Sequence, residues 1–188
     1  MPQPRPGFHR NAGRGWFPGP PRQGRVRGLM SSRATPAVRA AEAAGLRFRL
    51  LEYDYDPSAD AIGLAAAAAL GLPAERVFKT LIAVLDTGEM VTVVIPSPAR
   101  LSVKALAAAA GAKRAEMADP ARAEKATGFV VGGISPLGQR RKLRCFLDAS
   151  AAAHAEIVVN GGRRGLQIAT APDPLAAALG ATVCPLLA

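Results

Sequence analysis

The stretch Thr127–Asp148, TGFVVGGISPLGQRRKLRCFLD, decides how this chain is read. It opens with Phe129-Val130-Val131, a short apolar run between glycines that predicts a buried strand. Gly132-Gly133-Ile134-Ser135-Pro136-Leu137-Gly138 follows, a turn that has to fold tightly and expose its own backbone. Glycine lets a main chain approach a ligand closely, and Pro136 fixes φ so that the loop holds its shape. Arg140, Arg141, Lys142 and Arg144 stand behind it, close enough in sequence to meet a polyanion. A stiff backbone loop beside a basic strip suits a small acyl group attached to nucleic acid.

Outward from this stretch, the chain alternates strands and helices without a steady βαβ rhythm. Thr35-Pro36 reads as an N-cap with proline in the first helical turn, and Gly45 closes that helix. Arg47–Tyr55 alternates as a strand, and Ala61–Leu70 is helical up to Gly71. Val77–Leu85 and Met90–Ile95 are apolar strands joined through Asp86-Thr87-Gly88-Glu89, a hairpin turn. Ser102 caps a helix that runs to Ala110, and Asp119-Pro120 opens another that Gly128 ends. Leu143–Leu147, Ile157–Val159 and Gly165–Ala169 read as strands, with a last helix over Pro172–Leu179. The pattern predicts an α+β fold, a single compact domain with a mixed, strongly curved β-sheet surrounded by short helices.

Length and composition bound the rest. The 188 residues suit one domain with a self-sufficient core, and 49% of them are hydrophobic. No apolar run approaches the roughly 20 residues that span a bilayer, so no membrane partner is expected. Cys145 and Cys184 share no CxxC spacing, and with only His9 and His154 beside them neither a disulfide framework, a metal site nor a cofactor is expected. The cytoplasm is the default location. Residues 1–33 hold seven arginines and no acidic residue, which leaves +3 of the net charge of +10 for residues 34–188. Crowded with Pro and Gly, that tail is expected to be disordered. Three readings of it compete: a basic arm for RNA, a transit peptide, or a translation start at Met30, which is the favoured one.

Several residues are candidates for chemistry. Lys79 sits in an apolar strand, sharing a face with Val77, Leu81, Ala83 and Leu85. Such a lysine either reaches solvent by its stem or enters a cleft with an anionic partner. Gly132 and Pro136 frame a Gly-x-x-x-Pro loop that is a plain turn on spacing alone. Ser135 has no nearby histidine and no nucleophile-elbow pattern, so a structural hydroxyl is the better reading. Cys145 reads as core and His154 as surface. Arg163 and Arg164, in Asn160-Gly161-Gly162-Arg163-Arg164-Gly165, contact phosphates in one reading and stay solvated in a hairpin in the other.

Four motifs in order carry a resemblance. Val77-Phe78-Lys79-Thr80-Leu81, Glu116-Met117-Ala118-Asp119-Pro120, the Gly132 loop, and Gly161-Gly162-Arg163-Arg164-Gly165-Leu166 resemble the YbaK family of aminoacyl-tRNA deacylases. These are free-standing relatives of the editing domain of bacterial prolyl-tRNA synthetase. The resemblance runs from about Thr35 to the C-terminus and is strongest to the branch that clears cysteine from proline tRNA. It implies an editing domain over residues 34–188, with the acceptor end of aminoacylated tRNA as partner and prolyl-tRNA synthetase as a companion. Lys79 and Gly132 are then catalytic. Tyr53, Ile62, Thr80, Gly133, Ser135, Pro136, Asn160, Gly161, Arg163 and Gln167 are substrate-binding.

In this reading Lys79 engages the phosphate or ester end of the tRNA, and the glycine loop holds the aminoacyl carbonyl through its backbone. The thiol of a cysteinyl ester attacks its own carbonyl and leaves as a cyclic thioester, so the enzyme needs no nucleophile of its own. This chain departs from the family pattern at Gln167, where relatives often carry an acid, at Asn160, where they carry serine, and at Ile62, where an aromatic is missing. A deacylase for alanine or serine esters using activated water is the alternative within the fold. A non-catalytic tRNA-binding module is the alternative from another class.

Overall fold

The computed structural model describes residues 34–55 and 62–188. The basic segment 1–33, with Met30 and the disorder expected of it, lies outside the described residues. Within them, helix α1 covers Pro36–Ala43 and strand β1 covers Phe48–Glu52. Helix α2 (Ile62–Leu70) leads through a 3-10 turn into the hairpin β2 (Phe78–Leu85) and β3 (Met90–Pro96). Helix α3 (Val103–Ala110), the short strand β4 (Ala115–Met117) and helix α4 (Pro120–Thr127) precede the glycine loop. Strands β5 (Arg144–Asp148), β6 (Ile157–Asn160) and β7 (Leu166–Thr170), helix α5 (Pro172–Leu179) and β8 (Thr182–Cys184) complete the chain.

The helices begin and end where their boundary residues dictate. Thr35 caps α1 by accepting from the Val38 N–H at 3.1 Å, with Pro36 in the first turn. Ser102 caps α3 and Asp119 caps α4 in the same way. Gly111, Gly128 and Gly180 take left-handed conformations at the C-caps of α3, α4 and α5.

The strands divide between two sheets, where the sequence pattern suggested one. A five-stranded mixed sheet runs β4-β2-β3-β5-β8, and a three-stranded antiparallel sheet runs β1-β7-β6. A parallel bridge between Val77 and Val158 joins them just before β2 begins. On one face of the larger sheet, Phe78, Ile82 and Val94 pack with Val38, Leu137, Leu147, Ile168 and Leu175. On the other, Ala83, Leu85, Val93 and Phe146 meet Leu106 of α3 and Leu186. A smaller cluster of Ala67, Val77, Val158 and Ala169 seats α2 across the junction of the sheets. No helix among the described residues is long and apolar enough to cross a membrane.

Phe129-Val130-Val131 is not a strand. Phe129 enters the core, whereas Val130 and Val131 are exposed. Their backbone is satisfied locally: the Phe129 N–H donates to Thr127 Oγ1, the Val131 N–H to Glu124 Oε1, and the Val130 carbonyl accepts from Gly133. With these groups taken by side chains and a turn, no ladder can form. Strand β8 escaped the sequence reading because Thr182 and Val183 are exposed and its three residues show no alternation. Gly138 locks α1 to the glycine loop; a Cβ there would stand 2.3 Å from the Pro36 carbonyl oxygen.

Candidate active site

Strand β4 pairs with β2 only at Ala83–Leu85, so the first half of β2 has an open edge. A cavity of about 500 Å³ occupies that opening. Lys79, Thr80, Leu81 and Ile82 of β2 form its wall, with Ile62, Gly63 and Leu64 of α2 over it. Ser97 follows β3, while Met117, Ala118, Pro120 and Ala123 arrive from β4 and α4, and Val131, Gly132 and Ile134 from the glycine loop.

Lys79 is held rather than free. Its Nζ donates to the carbonyl oxygens of Ser97 at 2.9 Å and Ala99 at 2.8 Å. An ammonium has three donors, so these two bonds aim the group and leave one N–H to give. Burial lowers its pKa from the ordinary lysine value, and the nearby Arg100 guanidinium lowers it further. Beside it lie two buried hydroxyls, Thr80 Oγ1 and Ser97 Oγ, with no hydrogen-bond partner among the described residues. Both oxygens are sealed from solvent, so each stays unsatisfied where it stands. Gly63 has to be glycine here, because a Cβ would fall 2.3 Å from Ser97 Oγ.

The glycine loop is braced from three sides. Glu124 of α4 takes the Val131 N–H at 2.8 Å, and Arg164 donates to the Val131 carbonyl at 2.8 and 3.2 Å. Asn160 donates to the Gly132 carbonyl at 3.2 Å and accepts from the Gly162 N–H at 2.8 Å. Gly132 has φ +85, and a Cβ on it would meet Ile62 Cδ1 at 2.5 Å. The Gly132 and Ile134 N–H groups donate to no described residue.

Of the residues the sequence singled out, Lys79, Gly132, Ile62 and Thr80 meet at this cavity. Asn160 and Gly161 stand behind it as part of the brace, Asn160 through its bonds and Gly161 packed against Leu166. Gly133 is buried against the backbone of Arg163 and Arg164. Ser135 is fully buried and its Oγ accepts from the Leu137 N–H, while Pro136 lines a separate cleft with Gln139 and Cys145. Tyr53 and Gln167 lie outside the cavity wall, each with a buried oxygen that has no described partner. Arg163 forms an ion pair with Glu52 at 2.9 Å, so both arginines of that turn contact protein groups. The basic strip does not reach the cavity: Arg141 and Lys142 line the cleft with Pro136, and Arg144 pairs with Glu89.

Ser97, Gly63 and Glu124 were not singled out for the site, and Arg164 was read as a phosphate contact rather than as a brace of the glycine loop. Ser97 follows Pro96 as a turn residue, and nothing local marks it as the lysine's acceptor. The β2–β3 register does: Lys79 pairs with Ile95, which places Ser97 one diagonal step away. Cys145 is buried with its thiol pushed up to about 12 by burial, so it is inert core. Among the described residues lining the cavity there is no His, Cys, Asp or Glu.

A lysine and a braced glycine loop thus meet at the open edge of β2. The chain belongs to the aminoacyl-tRNA editing domain family, whose model matches residues 56–178. It is 36% identical over 125 residues to the Enterococcus faecalis protein named "Putative Cys-tRNA(Pro)/Cys-tRNA(Cys) deacylase EbsC", covering 66% of this chain and 76% of that one. Among solved structures, the fold matches the hypothetical protein APE2540 with a TM-score of 0.74 and 26% identity, over 82% of this chain and 100% of that one. It also matches "a putative trans-editing enzyme for prolyl tRNA synthetase", with a TM-score of 0.72 and 25% identity, over 85% of this chain and 99% of that one.

Proposed function

We propose that this protein is a trans-editing deacylase that removes cysteine mischarged onto proline tRNA, with the thiol of the substrate as the nucleophile. The observation that carries this is the make-up of the cavity. Among the described residues that line it there is one cation, Lys79, and no carboxylate, imidazole or thiol. Such a site can bind and orient an ester but is poorly equipped to attack one.

A cysteinyl ester brings the missing group. Its thiol loses a proton to solvent, the sulfur bonds to the carbonyl carbon, and the carbon–oxygen bond to the terminal ribose breaks. The ribose oxygen leaves with the electron pair and takes up a proton. The product is a cyclic thioester of carbonyl carbon, Cα, Cβ and sulfur, which water later opens to free cysteine. The Gly132 and Ile134 N–H groups are suited to the developing oxyanion, and the Lys79 ammonium to the leaving oxygen or the adjoining phosphate. Holding thiol and carbonyl in contact accounts for the acceleration, a proximity effect of roughly 7–11 kcal/mol at its limit.

The second reading is hydrolysis of an alanyl or seryl ester. It requires an activated water, because those side chains supply no thiol. Prolyl-tRNA synthetase is the natural companion, and the cytoplasm, where tRNA is charged, the natural place. The test is to charge proline tRNA separately with cysteine, S-methylcysteine, alanine, serine and proline and follow loss of each ester. The cysteinyl ester should be cleared and the S-methyl ester should survive. Rapid cleavage of the S-methyl ester would transfer the proposal to activated water.

A further inference from the structure

The mouth of the cavity is apolar and faces water. Seven large hydrophobic residues are exposed among the described residues, and three of them, Leu64 at 41%, Met117 at 49% and Val131 at 40%, line this one cavity. Val130, at 54%, adjoins Val131 in the chain. The three come from α2, β4 and the glycine loop, elements far apart in sequence. Single exposed apolar side chains are ordinary, but a ring gathered from three elements around a polar corner marks a contact surface.

The occupant follows from the connectivity of the substrate, and so rests on the aminoacyl-tRNA reading above. If the ester lies against Lys79 and Gly132, the ribose that bears it carries the terminal nucleobase within one nucleotide's length. With the aminoacyl group against the buried floor of Ile82, Ala123 and Ile134, the base is left to the mouth. We infer that Leu64, Met117 and Val131 form a subsite that grips the terminal nucleobase of the aminoacylated end by its faces. The Met117 thioether is polarizable and adapts to a flat ring, and the two aliphatic side chains supply dispersion contact. None of the three side chains offers a hydrogen-bond donor, so this subsite positions the ester without reading base identity. Stacking is tolerant in this way because every base has a π-face.

The test uses two minihelices charged with cysteine, one with a complete terminal nucleotide and one whose terminal ribose lacks its base. The quantity read is the ratio of kcat/KM on the two, for the full chain and for Met117→Ser and Leu64→Ser. The unmodified protein should favour the complete end by roughly tenfold or more, and each variant should lose most of that preference. A ratio of one in the unmodified protein, or a ratio that neither variant changes, overturns the subsite. Binding of an uncleavable amide-linked end carrying 2-aminopurine is measured in parallel by fluorescence. If no ester is cleaved by any form, the deacylase reading fails, yet the fluorescence still decides the subsite. Quenching that weakens in both variants supports it, and absent or unchanged quenching refutes it.

Discussion

Asn160 holds Gly132 in place: its Nδ2 donates to the Gly132 carbonyl at 3.2 Å while its Oδ1 accepts from the Gly162 N–H at 2.8 Å. One amide thus links the glycine loop to the turn after β6, using a donor and an acceptor in fixed places. Asn160→Asp keeps the acceptor but sets a carboxylate oxygen against a carbonyl oxygen. That variant should lose about 1–3 kcal/mol of stability and most of its deacylation. Asn160→Ala should lose less stability, and urea melts together with single-turnover rates would rank the two.

Lys79 is aimed by two carbonyls that suit a single nitrogen. Lys79→Ala should fold and lose nearly all deacylation, and Lys79→Arg should fail as well, because a planar fork cannot replace a point charge between the Ser97 and Ala99 oxygens. Near-normal turnover in Lys79→Ala would remove this residue from the mechanism.

The pH profile follows from the same group. Its pKa is lowered by burial and by Arg100, so an active ammonium is lost as pH rises through a value below that of free lysine. On the acid side, rate should climb as the substrate thiol ionises, around an ordinary thiol value of about 8.5. Rate against pH should therefore be bell-shaped, and Arg100→Gln should move its alkaline limb upward. For stability the sign is opposite: between the lowered pKa and the ordinary one the unfolded chain binds more protons, so stability rises with pH there. Lys79→Met should abolish that rise, which pH-dependent urea melts would show.

Two glycines separate folding from function. Gly138→Ala would drive a Cβ to 2.3 Å from the Pro36 carbonyl oxygen at φ +66, a backbone clash that neither segment can relieve. It should cost about 3 kcal/mol or more. Gly132→Ala meets the ends of two flexible side chains, Ile62 Cδ1 at 2.5 Å and Arg164 Nε at 3.2 Å, at φ +85, so it should cost about 1–2 kcal/mol, mostly backbone strain. Its larger effect should be on turnover, because the new methyl fills the cavity wall. Calorimetry and initial rates on both proteins would check the contrast.

The cavity's own chemistry predicts which side chains are dispensable. Cys145 is core, Cys184 lies at the far edge in β8, and Ser135 caps its own turn. Cys145→Ser, Cys184→Ser and Ser135→Ala should each keep most of the deacylation rate per folded molecule. Ser135→Ala should lose about 1 kcal/mol with its hydrogen bond to Leu137. A rate collapse in any of the three at normal stability would point to an enzymic nucleophile.

Local rules made much of this molecule legible. Thr35-Pro36, Ser102 and Asp119-Pro120 announce their helices because a cap is satisfied within a few residues, and Gly111, Gly128 and Gly180 announce the ends. The apolar runs of β2 and β3 and the turn between them specified that hairpin, and the four motifs specified the family. Where the energetics are nonlocal, the chain alone was mute or misleading. Phe129-Val130-Val131 has the composition of a strand, but Glu124, Thr127 and Arg164 claim its backbone from elsewhere. The junction of the two sheets hangs on the contact between Val77 and Val158, eighty-one positions apart in the numbering. Ser97 gained its place beside Lys79 through strand register, and the basic strip was turned toward another cleft by the path of the chain into β5. Sequence by itself determined the elements and the residue types available for chemistry. Tertiary structure alone decided which of them share one cavity, because that depends on hydrogen bonds and packing between segments that no local pattern records.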